Sequence, residues 1–151
     1  NNLGMSNLNN VVFPKNLKSL NISRNLISPN QWQFLRLPKN LISLNASNNK
    51  IMGETRKFVI PSSLKEINLS QNKISNNGVL NLKLPKKLMK LNLSSNELTF
   101  LGAQYLAKKS PYLKELSLYR NLIYFQQHKA IMDLWKENLN IKLFKTLGEF
   151  H

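Results

Sequence analysis

Apolar and polar residues recur along this chain in one fixed frame. Apolar residues take the first, fourth and sixth places and asparagine the ninth, as in the stretch Leu17–Asn25, which reads LKSLNISRN. Further copies begin at Leu41, Leu64, Leu88 and Leu113, so successive starts lie 24, 23, 24 and 25 residues apart. Self-similarity at such a period predicts a stack of coils, each burying its apolar residues against its neighbours.

The centre of each copy alternates between apolar and polar residues, which is the period of a β-strand. In the fourth copy Leu91 and Leu93 face the core, whereas Lys90, Asn92 and Ser94 face the open side. The frame L-x-x-L-x-L-x-x-N resembles that of leucine-rich repeat proteins. The resemblance implies an α/β solenoid, a right-handed horseshoe with a concave parallel β-sheet and with short helices, 3₁₀ turns or irregular segments on its convex side.

One of the segments that lead from one strand to the next has a clear helical pattern. Leu101, Tyr105 and Leu106 recur at helical spacing, and Thr99 precedes them as a capping residue. A helix is therefore predicted within residues 98–109.

The other connecting segments are shorter or less regular. Residues 27–37 and 74–84 carry Pro29 or an Asn-Asn-Gly run, which predicts a turn or a short 3₁₀ piece. Residues 51–60 are predicted to be irregular. Trp32 lies in one of these segments, and its predicted role is packing against the core.

The frame lengthens after the fifth copy. An apolar face predicts a helix over about residues 124–137, which contains Trp135 as a packing residue, and alternation predicts a final strand over residues 139–143. Residues 124–151 are therefore predicted to cap the C-terminal end of the stack, because repeat stacks need terminal caps.

These elements predict one domain spanning residues 1–151. Its parts are a partial repeat over 1–13, repeats that start near residues 14, 38, 61, 85 and 111, and the cap. Asn1 and Leu3 fit the N-x-L end of the frame, which predicts that the chain is a fragment of a longer solenoid.

The asparagine that closes each copy is predicted to be structural. Backbone groups buried in the turn after the strand need partners, and an Asn amide offers two donors and an acceptor. The sequence thus predicts an asparagine ladder made of Asn25, Asn49, Asn72, Asn96 and Asn121.

A proline precedes the first four copies, in the pairs Phe13-Pro14, Leu37-Pro38, Ile60-Pro61 and Leu84-Pro85. The unit L-P-x-x-L-x-x-L-x-x-x-x-N-x-[LI] resembles the repeat of secreted bacterial leucine-rich-repeat effectors over about residues 13–98. The resemblance implies a module that binds a host protein. Ligase activity in that class uses a cysteine in a separate domain, and this chain contains no cysteine. The resemblance therefore implies no enzymatic activity for this chain.

Charge adds a second hypothesis about partners. Twenty-two Lys and Arg residues against seven Asp and Glu residues give a net charge of +15. Several lysines fall just before the strands and are predicted to form a basic rim, namely Lys15, Lys39, Lys86, Lys87, Lys108 and Lys109. The rim is either a solvated corner of a lysine-rich protein or a surface that attracts an acidic protein, a polyanion or a nucleic acid. Few aromatic residues fall on the open face, which disfavours nucleic acid.

Two features bear on the compartment. The chain has no cysteine, and extracellular solenoids of this kind commonly carry disulfides. Asn21, Asn45, Asn68 and Asn92 each begin an N-x-S glycosylation acceptor on the strand, where a glycan would cover the open face. Both features favour the cytoplasm, or secretion into a host cytosol, over a disulfide-forming extracellular setting.

Catalytic patterns are weak. His128 falls on the predicted cap helix and His151 is the last residue, so neither faces the open side. Glu66 and Glu115 share a strand position two repeats apart, about 10 Å from each other, but Lys90 stands between them, which favours a solvated ion-pair ladder. We expect no enzyme activity, no cofactor and no metal site.

The open face of the strands is the predicted partner-binding surface, since solenoids bind partners on extended concave surfaces. Its first two strands offer only Ser and Asn, and charged or aromatic residues concentrate toward the C-terminus. The predicted contact residues are Glu66, Asn68, Lys90, Asn92, Glu115, Ser117, Tyr119 and Arg120.

Overall fold

The described residues form a parallel sheet of six short strands in chain order. The computed structural model describes residues 8–53, 58–110, 113–135 and 142–144. The strands are β1 (Ser19–Asn21), β2 (Ser43–Asn45), β3 (Glu66–Asn68), β4 (Lys90–Asn92), β5 (Glu115–Ser117) and β6 (Lys142–Phe144). Each residue of a strand pairs with its counterpart one repeat away. The predicted α/β solenoid with a parallel sheet is confirmed.

The core runs under this sheet as stacked layers of equivalent side chains. The middle residues of β2 to β5 are buried, and so are the leucines that lead the second to fifth copies, whereas Leu17 of the first copy is partly buried. A further layer follows the ladder asparagines and is at most 3% exposed, made of Ile27, Ile51, Ile74, Leu98 and Ile123. Because the buried residues take one face of each strand, the first and third strand positions are left on the opposite, open face.

The described parts of the connecting segments hold four α-helices: α1 (Pro29–Trp32), α2 (Asn76–Asn81), α3 (Phe100–Lys109) and α4 (His128–Leu134). The predicted helix is α3, and the Thr99 hydroxyl caps it by accepting a hydrogen bond from the Leu101 N–H at 3.3 Å. The prediction of turns or 3₁₀ pieces in segments 27–37 and 74–84 was wrong, because both hold an α-helix.

Local capping and neighbouring repeats explain these two short helices. In α1 the Ser28 side chain accepts from the Gln31 backbone while the Gln31 side chain accepts from the Ser28 backbone, forming a capping box. In α2 the Asn76 amide donates to the Thr99 hydroxyl at 2.8 Å and accepts from the Thr99 N–H at 3.0 Å. These bonds join α2 to the start of α3 and fix its first turn.

The predicted secondary structure of segment 51–60 and of the C-terminal cap agrees with the structure in part. The described portions of segment 51–60 hold no helix and no regular strand, and residues 54–57 lie outside the described ranges. The predicted helix over 124–137 is a 3₁₀ turn at Phe125–Gln127 followed by α4, and positions 136 and 137 are not described. The described part of the predicted final strand, positions 142 and 143, lies in β6, and residues 139–141 lie outside the described ranges.

The five ladder asparagines are buried, and the last four of them join their repeat to the one before it. The Asn49 amide shows the pattern: its NH₂ donates to the Ala46 carbonyl of its own repeat at 3.1 Å and to the Ile22 carbonyl of the preceding repeat at 3.0 Å. Its oxygen accepts from the Ile27 N–H at 2.9 Å. Asn72, Asn96 and Asn121 repeat these contacts one coil further on.

The residue before each ladder asparagine adopts a left-handed backbone conformation. These residues have φ values of 52–58° and are Arg24, Asn48, Gln71, Ser95 and Arg120. A residue other than Gly or Asn in this region is disfavoured by about 1 kcal/mol. The ladder hydrogen bonds on the following residue hold the turn in this conformation.

Gly102 leaves room for the bridge between α2 and α3. A Cβ at this position would lie 2.6 Å from the Asn76 amide oxygen and 3.2 Å from a Leu98 methyl. Gly102→Ala should therefore lower the free energy of unfolding by about 1–2 kcal/mol, although alanine favours helix by about 1 kcal/mol. Chemical denaturation should show this loss. The control Gln104→Ala, in the same helix, should keep a free energy of unfolding within about 0.5 kcal/mol of the wild type. A stabilised Gly102→Ala variant would contradict the proposed close contact.

Candidate functional site

The first residues of the strands form a column of charged side chains across the open face. Glu66, Lys90 and Glu115 occupy equivalent positions on β3, β4 and β5. The Lys90 ammonium lies 3.6 Å from a carboxylate oxygen of each glutamate, and all three side chains are about half exposed. This is the ion-pair ladder that the sequence favoured over a pair of catalytic acids. Exposed pairs of this kind contribute about 0–1 kcal/mol each.

The third residues of β1 to β4 form a second asparagine column, on the open face rather than in the core. The side-chain oxygen of each accepts a hydrogen bond at 3.0–3.1 Å from the backbone N–H two residues on: Asn21 from Ser23, Asn45 from Ser47, Asn68 from Ser70 and Asn92 from Ser94. A backbone N–H can only donate, so this contact fixes the amide oxygen toward the strand end. The amide NH₂ is then left for other contacts.

These four NH₂ groups form a row of hydrogen-bond donors at the spacing of the strands, about 4.8 Å. None of them has a hydrogen-bond partner among the residues that the structure describes. On β5 the column continues with Ser117, whose hydroxyl lies 2.6 Å from that of Ser94. The open face therefore offers a line of amide donors beside the charged column, and we call this line the donor row (Asn21, Asn45, Asn68 and Asn92).

A shallow depression of about 370 Å³ lies on the open face. It is lined by the strand residues 43–45, 66–68, 90–92 and 115–117. Six of the eight predicted contact residues are brought together here: Glu66, Asn68, Lys90, Asn92, Glu115 and Ser117.

The other two predicted contact residues lie outside the lining of this depression. Tyr119 and Arg120 follow β5 in the turn, and the Arg120 guanidinium lies 5.2 Å from the centre of the Tyr119 ring. The ring and the cation stack on each other at one corner of the open face, beyond the strand itself. Their contribution to binding stays a prediction.

The predicted rim lysines divide into two groups. Lys15, Lys39, Lys86 and Lys87 are exposed in the turns that precede β1, β2 and β4. The Lys109 ammonium instead donates to the carbonyl oxygen of Val79, at 3.3 Å, and to that of Leu80. These carbonyls belong to the last turn of α2, where the lysine cation complements the negative end of the helix dipole. The Val79 carbonyl also accepts from the Leu82 N–H.

Lys109 is therefore not a free member of the rim, which corrects the sequence prediction for this residue. Desolvation by burial lowers the pKa of Lys109 below the ordinary lysine value. Lys108, its neighbour at the end of α3, is exposed. Sequence alone gave no signal for the Lys109 contact, because it depends on how α2 packs beside α3.

The described part of the chain offers no group of three or more His, Asp or Glu residues that could hold a metal ion. His128 is half-buried on α4, away from the strand face, and His151 lies outside the described residues. No helix within the described ranges has both the length and the apolar character needed to cross a membrane.

Two stretches, residues 61–83 and 85–107, match the leucine-rich repeat family. The first runs from Pro61 through β3 and α2, and the second from Pro85 through β4 into α3. The match covers two of the repeats, and the parallel sheet with short helices between its strands is consistent with a leucine-rich-repeat α/β solenoid. No curated protein matches the sequence at a significant level.

Leucine-rich repeat domains are typically protein-interaction modules, and they bind on the extended concave face that the parallel strands form. In this chain the open face of the strands carries the donor row and the charged column, and residues of both line the depression.

Proposed function

We propose that this leucine-rich repeat domain binds another protein on its concave face, with the donor row as the centre of the contact. The observation that carries the proposal is the fixed orientation of the four amides, whose oxygens are held by the strand ends. Each strand thereby presents an NH₂ group in the same direction, about 4.8 Å from the next. Groups that accept hydrogen bonds, such as backbone carbonyls and carboxylates, complement such a row.

The neighbouring side chains extend this contact toward the C-terminal strands. Lys90 adds a cation beside Asn68 and Asn92, and its two ion pairs hold it over the depression. Tyr119 and Arg120 provide residue types that often dominate the energetics of protein interfaces. The proposed interface therefore runs from the donor row of β2 to β4 toward the stacked Tyr119–Arg120 corner.

An isosteric substitution tests the donor row directly. Asn68→Asp keeps an oxygen to accept the Ser70 N–H but replaces the NH₂ donor by a second acceptor. We expect thermal stability to stay close to that of the wild type, while affinity for a partner captured from cytosol falls at least about tenfold, measured by biolayer interferometry.

The matched control is Asn77→Asp, an exposed position in the first turn of α2 that makes the same change of charge away from the concave face. It should leave partner affinity within about twofold of the wild type, which is less than 0.5 kcal/mol. Equal losses in Asn68→Asp and Asn77→Asp would contradict the concave site, because they would show a response to net charge alone.

Polyanion or nucleic-acid binding through the lysine-rich rim is the competing candidate, supported by the net charge of +15. The two candidates differ in their response to salt. Binding that neutralises several phosphates weakens steeply as ionic strength rises, with a slope of about −0.7 to −0.9 per phosphate on a double-logarithmic plot. A protein interface centred on the donor row should lose little affinity over the same range.

A finer proposal is that the partner is a host protein engaged by a secreted bacterial effector. Its support is the Pro-led repeat motif of residues 13–98, as in Leu37-Pro38 and Leu84-Pro85. If it is correct, the partner captured by the wild type and lost by Asn68→Asp should come from a eukaryotic host cytosol. Capture of a partner only from bacterial cytosol would reject this role without affecting the concave site.

A further inference from the structure

A second depression lies on the rim of the solenoid, at the turns that precede β3 and β4. It has a volume of about 680 Å³ and is lined by residues of two adjacent repeats. Ile60, Leu84 and Pro85 form its apolar floor, and each of them is half-buried. It lies at the start of the strands, so it is distinct from the depression on the concave face.

Small side chains in one repeat create this depression. Ser62 and Ser63 take the positions that Lys86 and Lys87 occupy in the next repeat. The Ser63 hydroxyl points to the preceding repeat, where it lies 2.7 Å from the carbonyl oxygens of both Lys39 and Leu41 and donates its one proton to this pair. The serine pair therefore leaves a gap in a rim that longer side chains fill elsewhere.

Four exposed lysines surround the gap: Lys65, Lys83, Lys86 and Lys87. The ion pairs of the open face involve Lys90 and not these four lysines. These lysines also differ from Lys109, whose ammonium is bound to the carbonyls of α2. The depression thus combines an apolar floor with four cations that have no anionic partner among the residues that the structure describes.

We propose that this depression is a second docking site, which takes an acidic peptide segment in which carboxylates alternate with apolar side chains. Charge complementarity requires an anionic ligand, and the aliphatic floor favours a ligand that also buries apolar groups. An extended segment places alternate side chains on opposite sides, so its apolar residues can meet Ile60 and Leu84 while its carboxylates reach the lysines at the edge. The site does not depend on the donor row.

The test uses four probes: a short synthetic peptide that alternates glutamate with leucine, the same peptide with glutamine for glutamate, the same peptide with alanine for leucine, and inorganic polyphosphate. Binding to the full chain is measured by fluorescence anisotropy or calorimetry. The variant is Lys65→Glu plus Lys86→Glu. Its matched control is Lys18→Glu plus Lys15→Glu, which occupies the equivalent positions of the first repeat, away from the depression.

The wild type should bind the glutamate–leucine peptide about tenfold more tightly than either substituted peptide. The Lys65→Glu plus Lys86→Glu variant should lose about tenfold in affinity for it, whereas the control pair stays within about twofold. Asn68→Asp should bind the peptide as the wild type does, so failure of the concave site and failure of this one are distinguishable.

Three results would overturn the proposal. Equal losses in the variant and the control would show attraction by net charge rather than a site. Unchanged binding of the alanine-substituted peptide would remove the role of the apolar floor. Tighter binding of polyphosphate than of the peptide, lost in the same variant, would assign the lysines to phosphate instead.

Discussion

Replacing Asn72 by alanine should lower the free energy of unfolding by about 3 kcal/mol, or about 10 °C in Tm. The Asn72 NH₂ donates to the carbonyls of Ala46 and Leu69 at 3.1 and 2.9 Å, and its oxygen accepts from the Ile51 N–H at 3.1 Å. Alanine leaves the buried Ile51 N–H without its partner, which is destabilising by about 1–3 kcal/mol. It also removes one of the two amide donors from each of the two carbonyls, which each keep one other ladder asparagine as a donor. Urea denaturation followed by circular dichroism measures the loss.

Asn68→Ala is the matched control for this prediction. It removes the same side chain four residues earlier in the same repeat, but there the amide lies on the open face and makes one hydrogen bond, to the Ser70 N–H. Asn68→Ala should lower the free energy of unfolding by about 1 kcal/mol or less. Comparable losses for Asn72→Ala and Asn68→Ala would show that the ladder does not join the repeats as described.

Trp32→Ala is expected to be still more destabilising, at about 4 kcal/mol. Trp32 is 2% exposed in α1 and packs against Phe58, with ring centroids 4.8 Å apart and planes inclined by 31°. Trp32 lies in the segment that leads to β2, and Phe58 lies in the segment that leads to β3. The described parts of these two segments hold no helix as long as α3, so the aromatic pair supplies the packing that α3 supplies in a later repeat. Removing the indole leaves a cavity that the rigid neighbouring layers cannot close.

Phe34→Ala provides the comparison for Trp32, because Phe34 lies just after α1 but is 48% exposed. Its substitution should lower the free energy of unfolding by no more than about 1 kcal/mol. The loss for Trp32→Phe should lie between those for Trp32→Ala and Phe34→Ala, since phenylalanine keeps a ring against Phe58. Similar effects of Trp32→Ala and Phe34→Ala would reject the packing role predicted for the tryptophan.

The repeat frame was enough to predict the sheet and the ladder because both depend on residue type at a fixed spacing. A leucine that leads each copy must be buried, and an asparagine such as Asn72 is one of few side chains that can pair the buried groups of the turn. In-register pairing of the strands follows, since a shift would move every apolar residue to the open face.

The short helices and the left-handed turns were not predictable from the same pattern. Residues 76–81 begin with Asn-Asn-Gly, a turn signal, and become helical because Asn76 is held by Thr99 of the next repeat. The left-handed positions carry residues as different as Gln71 and Arg120, so no residue type marks them. Contacts between repeats decide both features, and a single copy of the frame does not contain them.

The candidate site was predictable in position but not in chemistry. Alternation places Asn68 and Asn92 on the open face, but it does not show that their oxygens are bound to the strand ends. The spacing to Ser70 and Ser94 was a usable signal, because asparagine commonly accepts from the backbone two residues on. The rim depression and its Lys83 were missed for another reason: the gap at Ser62 and Ser63 exists only once two repeats are stacked.

Photo-crosslinking from one introduced thiol tests most directly whether the concave face is the binding surface. The chain contains no cysteine, so a photoactivatable maleimide labels only the introduced residue. Ser43→Cys places the label in the depression between the strands, and Asn77→Cys places it on α2 in a connecting segment. We expect one discrete protein adduct from position 43 that Asn68→Asp abolishes, and none from position 77. An adduct from position 77 with none from position 43 would contradict the assignment of the concave face.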